Sequence, residues 1–346
     1  MNTLTRSTYK FTSELTMKHL LKVAIWLLLS LSGLAFSAPL TTIRVGVLSF
    51  GTVAWELEVM RSHELAKKRG IDLVIVPLAS GDASTIALQG GSVDVIVSDW
   101  IWVSRQRADA NLFSFVTYSN AVGSVVVDKG SPIKTLADLK GKKIGISGGQ
   151  FDKIWLLLRA HAMRNAGVDL ATTALPTFGA PPLLNELMQR QQLDAVLNTW
   201  PYTARLEAKG MQRLIELPEI LAGLGVKQPI PLIGWVFRED WANRNTDALN
   251  AFLSASAEAK AIMQTSDDEW LKLKPKMKAE DDAIFISLRD KFRAGIPKCG
   301  GDSPLADIAT TYKVLADIGG DKLVGKASQL SKDTFWANYK STCGKP

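Results

Sequence analysis

One strand–loop–helix order occurs twice in this chain, about 100 residues apart, and this duplication limits the fold more than any single motif. The first copy opens with the β-type run Ile43-Arg44-Val45-Gly46-Val47-Leu48. The loop Ser49-Phe50-Gly51-Thr52 follows, then a helical stretch over residues 53–68 that stops at Gly70. Leu73-Val74-Ile75-Val76-Pro77 reads as a second strand. Gly81-Asp82-Ala83 opens a short helix to Gln89, and Val93-Asp94-Val95-Ile96-Val97 is a third strand. The second copy has a strand at Lys143-Ile144-Gly145-Ile146-Ser147, the loop Gly148-Gly149-Gln150 and a helix over residues 152–166. Residues 174–178 are its next strand, residues 181–189 a short helix, and Leu193-Asp194-Ala195-Val196-Leu197 its third strand. Trp55 matches Trp155, Asp94 matches Asp194 and Trp100 matches Trp200. Val45-Gly46-Val47 matches Ile144-Gly145-Ile146 with one residue of slip. One match alone carries no weight, but matched elements in a single order predict two related α/β lobes. Apolar runs alternating with amphipathic helices predict a parallel sheet in each, covered on both faces.

Two extended segments join the copies. Ser124-Val125-Val126-Val127-Asp128 is expected to cross from lobe one to lobe two. Ile230-Pro231-Leu232-Ile233-Gly234-Trp235-Val236-Phe237 is expected to return. Beyond it, residues 247–265, 281–294 and 304–318 read as helices that pack on lobe one. Lobe one is then discontinuous, residues 38–124 and 236–346, with lobe two over residues 125–235.

The N-terminal segment points to export. Lys18 and Lys22 precede an uncharged apolar run over residues 23–36, which ends in Ala35-Phe36-Ser37-Ala38. A basic n-region, a short apolar core and a small-residue cleavage site describe a secretory signal peptide over residues 1–37. A membrane anchor is the alternative, but spanning takes ~20 apolar residues. Cleavage is expected after Ser37, since Pro39 disfavours a cut after Ala38. Met17 is the expected start, and no Cys stands at the cleavage point to take a lipid anchor. Loss of Arg6, Lys10, Lys18, Lys22 and Glu14 lowers the formal charge from +7 to +4. That is too weakly basic to indicate nucleic-acid binding. Cys299 and Cys343 form an even pair in an oxidising compartment and read as one disulfide, with two free thiols as the alternative. Loop closure of this length stabilises by roughly 4 kcal/mol. A metal site is not expected, because the mature chain keeps only His63 and His161, neither near a Cys.

In open α/β sheets, ligands bind beyond the carboxyl ends of the strands, where helix N-termini present free N–H groups. Lobe one offers Phe50 and Thr52, Asp82, Asp99 and Trp100, with Asn120 just before the first crossing. Lobe two offers Gln150, Phe151 and Asp152, and then Thr199, Trp200 and Tyr202. Trp55 and Trp155 stand on the helices behind these loops. Aromatic side chains give large rigid contacts in pockets, and core packing is the alternative for each of them. For Trp100 and Trp200, directly after strands, the cleft is the expected place. Asp82, Asp99 and Asp152 stand at helix starts, where capping is the ordinary role; Asp99 facing a ligand favours an amine or other cation. Lys153 is the only basic residue in these loops. The chain lacks Gly-x-Ser-x-Gly, His-Glu-x-x-His, Cys-x-x-Cys and a dinucleotide fingerprint, so an enzyme is not expected. His63 fits a solvated helix face, and His161 fits packing.

The signal peptide, the strand–loop–helix opening, Gly91-Ser92-Val93-Asp94-Val95 and the run Ile133-Lys134-Thr135-Leu136-Ala137-Asp138-Leu139-Lys140-Gly141-Lys142-Lys143-Ile144-Gly145 resemble ABC-importer solute-binding proteins. The similar branch takes nitrate, taurine, aliphatic sulfonates and pyrimidine precursors, and the resemblance covers roughly residues 41–240. It implies a two-lobed α/β clamp of the type II periplasmic-binding-protein fold, with two crossing strands as hinge and a helical C-terminal part. It also implies a periplasmic monomer that captures a small organic or anionic solute without a cofactor and delivers it to an inner-membrane ABC permease. By position, the family's pocket loops fall on the loop residues named above. The ligand stays open among sulfonate, nitrate, amine and flat heterocycle. An accessory or sensor protein that uses the same clamp on a protein partner is the alternative function, and an enzyme related to the pyrimidine-precursor synthases is a third.

Overall fold

The computed structural model describes residues 39–49, 51–297 and 304–339. The expected signal peptide, Phe50 and the Cys299–Cys343 pair lie outside the described residues. Two five-stranded sheets organise residues 41 onward, each flanked by helices. The first contains β1 (Thr41–Leu48), β2 (Ile71–Leu78), β3 (Val95–Asp99), β4 (Phe113–Ser119) and β10 (Ile233–Arg238), in the order β2-β1-β3-β10-β4. The second contains β5 (Ser124–Val127), β6 (Lys143–Ser147), β7 (Leu175–Gly179), β8 (Ala195–Asn198) and β9 (Gln212–Glu216), in the order β7-β6-β8-β5-β9.

The sheets are mixed, which corrects the expectation of purely parallel ones. β1 runs parallel to β2 and β3, and β6 runs parallel to β7 and β8. β10 is antiparallel to both β3 and β4, and β5 is antiparallel to both β8 and β9. The physical reason is the connectivity. A strand arriving directly from the other sheet has no crossover helix, so it need not run parallel to its neighbours.

The duplicated residues do the same work in each sheet. A Cβ on Gly46 would lie 2.8 Å from Leu78 and 3.1 Å from Ile96; on Gly145 it would lie 2.6 Å from Leu193 and 3.1 Å from Leu184. Both glycines let neighbouring side chains close over a central strand. The Asp94 carboxylate accepts from the Arg44 backbone N–H at 2.8 Å, and the Asp194 carboxylate accepts from the Lys143 N–H at 2.7 Å. Each therefore ties the entry of a third strand to the start of the first.

The helices are α1 (Val53–Ser62), α2 (Gly81–Gln89), α3 (Trp100–Ala108), α4 (Lys153–Ala166), α5 (Leu170–Thr173), α6 (Pro181–Gln189), α7 (Trp200–Ala208), α8 (Leu217–Gly223), α9 (Glu239–Arg244), α10 (Thr246–Thr265), α11 (Asp267–Met277), α12 (Asp282–Ala294) and α13 (Leu305–Val324). The first helix ends sooner than its apolar pattern predicts. Glu64 takes a left-handed φ of 52°, and the chain resumes as a single 3-10 turn over Lys67–Arg69 before Gly70. α10 and α11 pack against α1, where His63 meets Glu269 at 3.1 Å. α12 touches α7, with Ser287 Oγ donating to the Ala204 carbonyl at 3.0 Å and Lys291 paired to Glu207 at 2.8 Å. α13 reaches α4, because a Cβ on Gly319 would lie 3.2 Å from Leu156; α12 and α13 thus pack on helices beside the second sheet, which corrects the expectation that the C-terminal helices pack on lobe one, because their apolar faces find partners on α7 and α4. Among the described residues no helix is long and apolar enough to cross a membrane.

A polar group is buried beneath the first sheet. Glu56 on α1 is fully buried and pairs with Lys260 of α10 at 2.8 Å. Ser256 Oγ donates to Glu56, and accepts from Lys260 Nζ at 2.9 Å and from the Trp235 indole at 3.2 Å. The Lys260 ammonium also sits over the Tyr118 ring, 4.2 Å from its centroid. Burial holds the lysine below its ordinary pKa, against the pull of Glu56. Removing one member of such a pair leaves the other charge buried alone. Lys260→Met is expected to cost about 3–5 kcal/mol in urea unfolding. Glu56→Gln added to it is expected to restore part of that loss. A Lys260→Met variant as stable as the unsubstituted protein would contradict this account.

Candidate ligand-binding site

The loops at the carboxyl ends of the strands belong to both sheets, and two of them meet. In the first sheet, β2 leads through Ser80 into α2, and the Ser80 hydroxyl accepts from the Ala83 N–H at 3.1 Å. β3 leads through Asp99 into α3, and Asp99 caps that helix by accepting from the Trp102 N–H at 2.8 Å. In the second sheet, β6 leads through Gly148, with φ of 90°, to Asp152. Asp152 caps α4 by accepting from the Trp155 N–H at 3.0 Å. Lys153, the first residue of α4, reaches over to the first sheet and pairs with Asp99 Oδ2 at 2.8 Å. This ion pair connects the end of β3 in one sheet to the start of α4 in the other.

The charges around this contact are coupled. Burial works against the Lys153 ammonium, but Asp99, Asp152 and Asp82 together hold its pKa above the ordinary lysine value. For Asp152, burial dominates and raises the carboxyl above its usual range, despite the helix N–H groups and Lys153; Asp99 adds to the rise. Asp82, Asp99 and Asp152, three of the expected site residues, thus share one electrostatic environment. Lys153 is the member that the sequence reading left out of its site, although its isolation as a base in these loops was the signal.

The aromatic residues are placed differently from one another. Trp100 is fully buried. Its indole donates to the Pro231 carbonyl at 2.6 Å, and its ring packs on Tyr312 and Phe335. Trp155 is also buried in the core. Trp55 of α1 and Trp200 of α7 meet edge to face at 6.1 Å, backed by Trp270 and Phe292. Trp55 and Trp200 therefore join elements flanking the two sheets, and both are buried. Neither Trp100 nor Trp200 lies open at a strand end as expected: the Trp100 indole finds the underside of the return crossing, and the Trp200 ring is covered by Trp55 and Phe292.

The remaining expected residues line the loops singly. Thr52 is half-buried and makes no side-chain cap bond. Asn120 is half-buried, with its backbone N–H donating to the Gly295 carbonyl at 2.8 Å. Gln150 and Thr199 are exposed. The Phe151 ring lies 5.9 Å from the Lys322 ammonium. Tyr202 is half-buried, and burial raises its phenol. Asn198 was not singled out from sequence. It is buried at the end of β8, donates to the Pro181 carbonyl and to Asn185 Oδ1 at 2.9 Å each, and accepts from the Thr199 N–H. It braces the loop that carries Thr199.

A carboxyl whose folded pKa is raised binds its proton more tightly in the folded state. Its contribution is favourable below the ordinary aspartate pKa and is lost as pH rises through the folded value. Asp152→Asn keeps the capping oxygen and removes the buried charge. It is expected to raise the melting temperature at neutral pH, and the gain is expected to disappear in acid below the ordinary aspartate range. A variant that is destabilised at neutral pH would show that the ionised Asp152 is a net stabiliser.

The family model described as "NMT1/THI5 like" matches residues 65–269, more than half of the chain. A protein of Escherichia coli K12 named "Putative aliphatic sulfonates-binding protein" is 28% identical over 281 residues, covering 79% of this chain and 84% of its own length. A "Putative thiamine biosynthesis protein" of Haemophilus influenzae is 30% identical over 152 residues, 44% of this chain and 45% of its own. Among solved structures, the periplasmic aliphatic sulphonate binding protein SsuA of Escherichia coli superimposes with a TM-score of 0.67 at 22% identity, covering 86% of this chain and 98% of its own. The alkanesulfonate-binding protein SsuA of Xanthomonas axonopodis pv. citri, bound to MOPS, superimposes with a TM-score of 0.65 at 17% identity, covering 87% and 99%. The fold is that of the two-lobed periplasmic binding proteins, and the chain belongs to the NMT1/THI5-like family.

Proposed function

We propose that this chain is the solute-binding component of an ABC importer, exported to the periplasm, where it captures a small solute between two lobes and presents it to an inner-membrane permease. The observation that carries this reading is the meeting of strand-end loops from both sheets, tied by Lys153 and Asp99 at 2.8 Å. Loops at the carboxyl ends of the strands are where open α/β sheets place ligands. The named relatives that bind aliphatic sulfonates support the same reading at the level of solute capture.

The lobes of this proposal are residues 38–124 with 236–346, and residues 125–235, and the chain acts as a monomer without catalysis. The site is built from Asp82, Asp99, Asp152 and Lys153, with Thr52, Asn120, Gln150, Phe151, Thr199 and Tyr202 around them. A solute that touches both lobes favours the closed state, because only that state supplies both sets of contacts. The permease then recognises the closed form.

Thermal melting of the mature protein against sulfonates, nitrate, amines and pyrimidines tests this reading. One class is expected to raise the melting temperature, by about 2.7 kcal/mol of stabilisation at 100 times its Kd. The same class is expected to change tryptophan fluorescence, because Trp55 and Trp200 connect elements of the two lobes. No response to any class, from folded protein free of co-purified ligand, would contradict solute capture and favour a clamp that holds a protein partner.

A further inference from the structure

Five lysines, Lys129, Lys134, Lys140, Lys142 and Lys143, crowd one short segment of the second sheet against a single acid within it, Asp138. Four of them are exposed and Lys142 is half-buried. Among the described residues none of the five is paired with an acid. Strand pairing gathers them at one end of the sheet. Lys143 opens β6 directly after Lys142, and Lys129 follows the end of β5. β8 lies between these two strands, and its first residue, Ala195, pairs with both Val127 of β5 and Ile144 of β6. The 3-10 turn Leu136–Leu139 carries Lys140 at its C-cap, with Lys134 just before its N-cap, Thr135. This is the opposite end of β6 from Gly148 and the loops of the candidate site.

Packing does not call for these ammonium groups. The acids beside them are turned to the backbone. Asp128 accepts from the Gly130 N–H at 3.0 Å, Asp138 from the Lys134 and Thr135 N–H groups at 3.0 and 2.8 Å, and Asp194 from the Lys143 N–H at 2.7 Å. The duplication supplies the contrast. In the first sheet, Asp94 takes the Arg44 backbone N–H and also its guanidinium, at 3.0 and 2.6 Å. In the second, Asp194 takes the Lys143 N–H, and the ammonium of that lysine stays in water. Aspartate is short and lysine long, so the carboxylates lie close to the chain and the ammonium groups stand outside them. The outer layer of this face is therefore positive.

The residue types on this face distinguish its partner. Protein interfaces favour Arg and are depleted in Lys. Here the bases without an acid are lysines, while the neighbouring arginines, Arg190 after α6 and Arg213 on β9, are paired with Glu186 and Glu216. Leu175, the register partner of Lys143, stands beside them as an exposed apolar side chain (55%). Mobile lysines around a shallow apolar contact suit anionic lipid headgroups, where each ammonium meets phosphate without a fixed geometry.

We propose that this end of the second sheet attaches the protein, weakly and reversibly, to bilayer surfaces rich in anionic phospholipid, through the five lysines with Leu175 seated at the headgroup boundary. The attachment is separate from solute capture, because the strand-end loops at the other end of the sheet stay clear of lipid. An exported chain held in this way is concentrated at the membrane that carries its permease.

Cosedimentation of the mature protein with phospholipid vesicles tests this. Binding is expected to vesicles of phosphatidylglycerol in phosphatidylcholine at low ionic strength, and not to pure phosphatidylcholine. It is expected to be lost in about 1 M salt, where the Debye length falls to ~3 Å. Lys134→Glu with Lys140→Glu is expected to weaken binding at least about 25-fold, since each lysine near an anionic surface contributes roughly fivefold. Both side chains are exposed and make no bond among the described residues, so the melting temperature and its response to solute are expected to be unchanged. Lys227→Glu with Lys332→Glu makes the same change in net charge at other exposed positions, and is expected to weaken binding less than about threefold. No binding of the unsubstituted protein to the anionic vesicles would overturn the proposal. Equal losses in the two pairs would overturn it as well, by reducing the attraction to net charge. Binding to inner-membrane vesicles that hold their proteins, but not to pure lipid, would assign the face to a protein partner and overturn the lipid assignment. None of these outcomes bears on solute capture, which the melting panel decides.

Discussion

The two strands that cross between the sheets are the constraint on which the other features depend. β10 is hydrogen-bonded to β3 and β4, and β5 to β8 and β9, so each crossing strand is an interior member of its sheet. Interior strands are paired on both edges and cannot slip without flipping their side chains to the wrong face. The short segments before them are the direct connections between the two sheets. Gly123, just before β5, is tightly placed: a Cβ there would lie 2.0 Å from the Asn198 carbonyl oxygen. The return connection carries Pro231, whose carbonyl takes the Trp100 indole bond.

Packing and charge divide the labour around these crossings. The large aromatics, Trp55, Trp100, Trp200 and Trp270, are buried and give cohesion through apolar area and edge-to-face contacts. Buried charge appears in two forms. Glu56 and Lys260 lie under the first sheet, fully enclosed and hydrogen-bonded through Ser256, and lock α1 to α10. Asp99 and Lys153 join the end of β3 in the first sheet to the start of α4 beside the second, and both are partly exposed. The first pair is shielded from water and the second is not.

The duplication was legible because both copies solve the same packing problem with the same residue types. Gly46 and Gly145 each admit a neighbour too close for a side chain, and Asp94 and Asp194 each catch a backbone N–H of the first strand. The mixed character of the sheets was not legible, since strand direction is set by a partner far away in sequence. α3 and α7 carry no periodic stripe for the sequence to show: in α3 the apolar residues Trp100, Ile101, Trp102 and Val103 stand in one block, and α7 mixes Trp200, Ala204 and Leu206 with Pro201 at its start. The aspartates at helix starts were readable as caps, and Asp99 and Asp152 do cap. Their convergence on Lys153 depends on tertiary placement that no local pattern encodes. Trp100 looked like a cleft residue from its position after a strand, but a side chain at a strand end can turn inward as easily as outward.

The central claim is that a solute joins the two lobes through the loops at their strand ends. Small-angle X-ray scattering on the mature protein, with and without the solute class that stabilises it, tests that claim most directly. The account predicts a smaller radius of gyration with solute and a ligand-free curve broader than the structure with the Lys153–Asp99 contact closed. An identical curve in both states, at concentrations that saturate the melting response, would contradict a clamp and point to a rigid site.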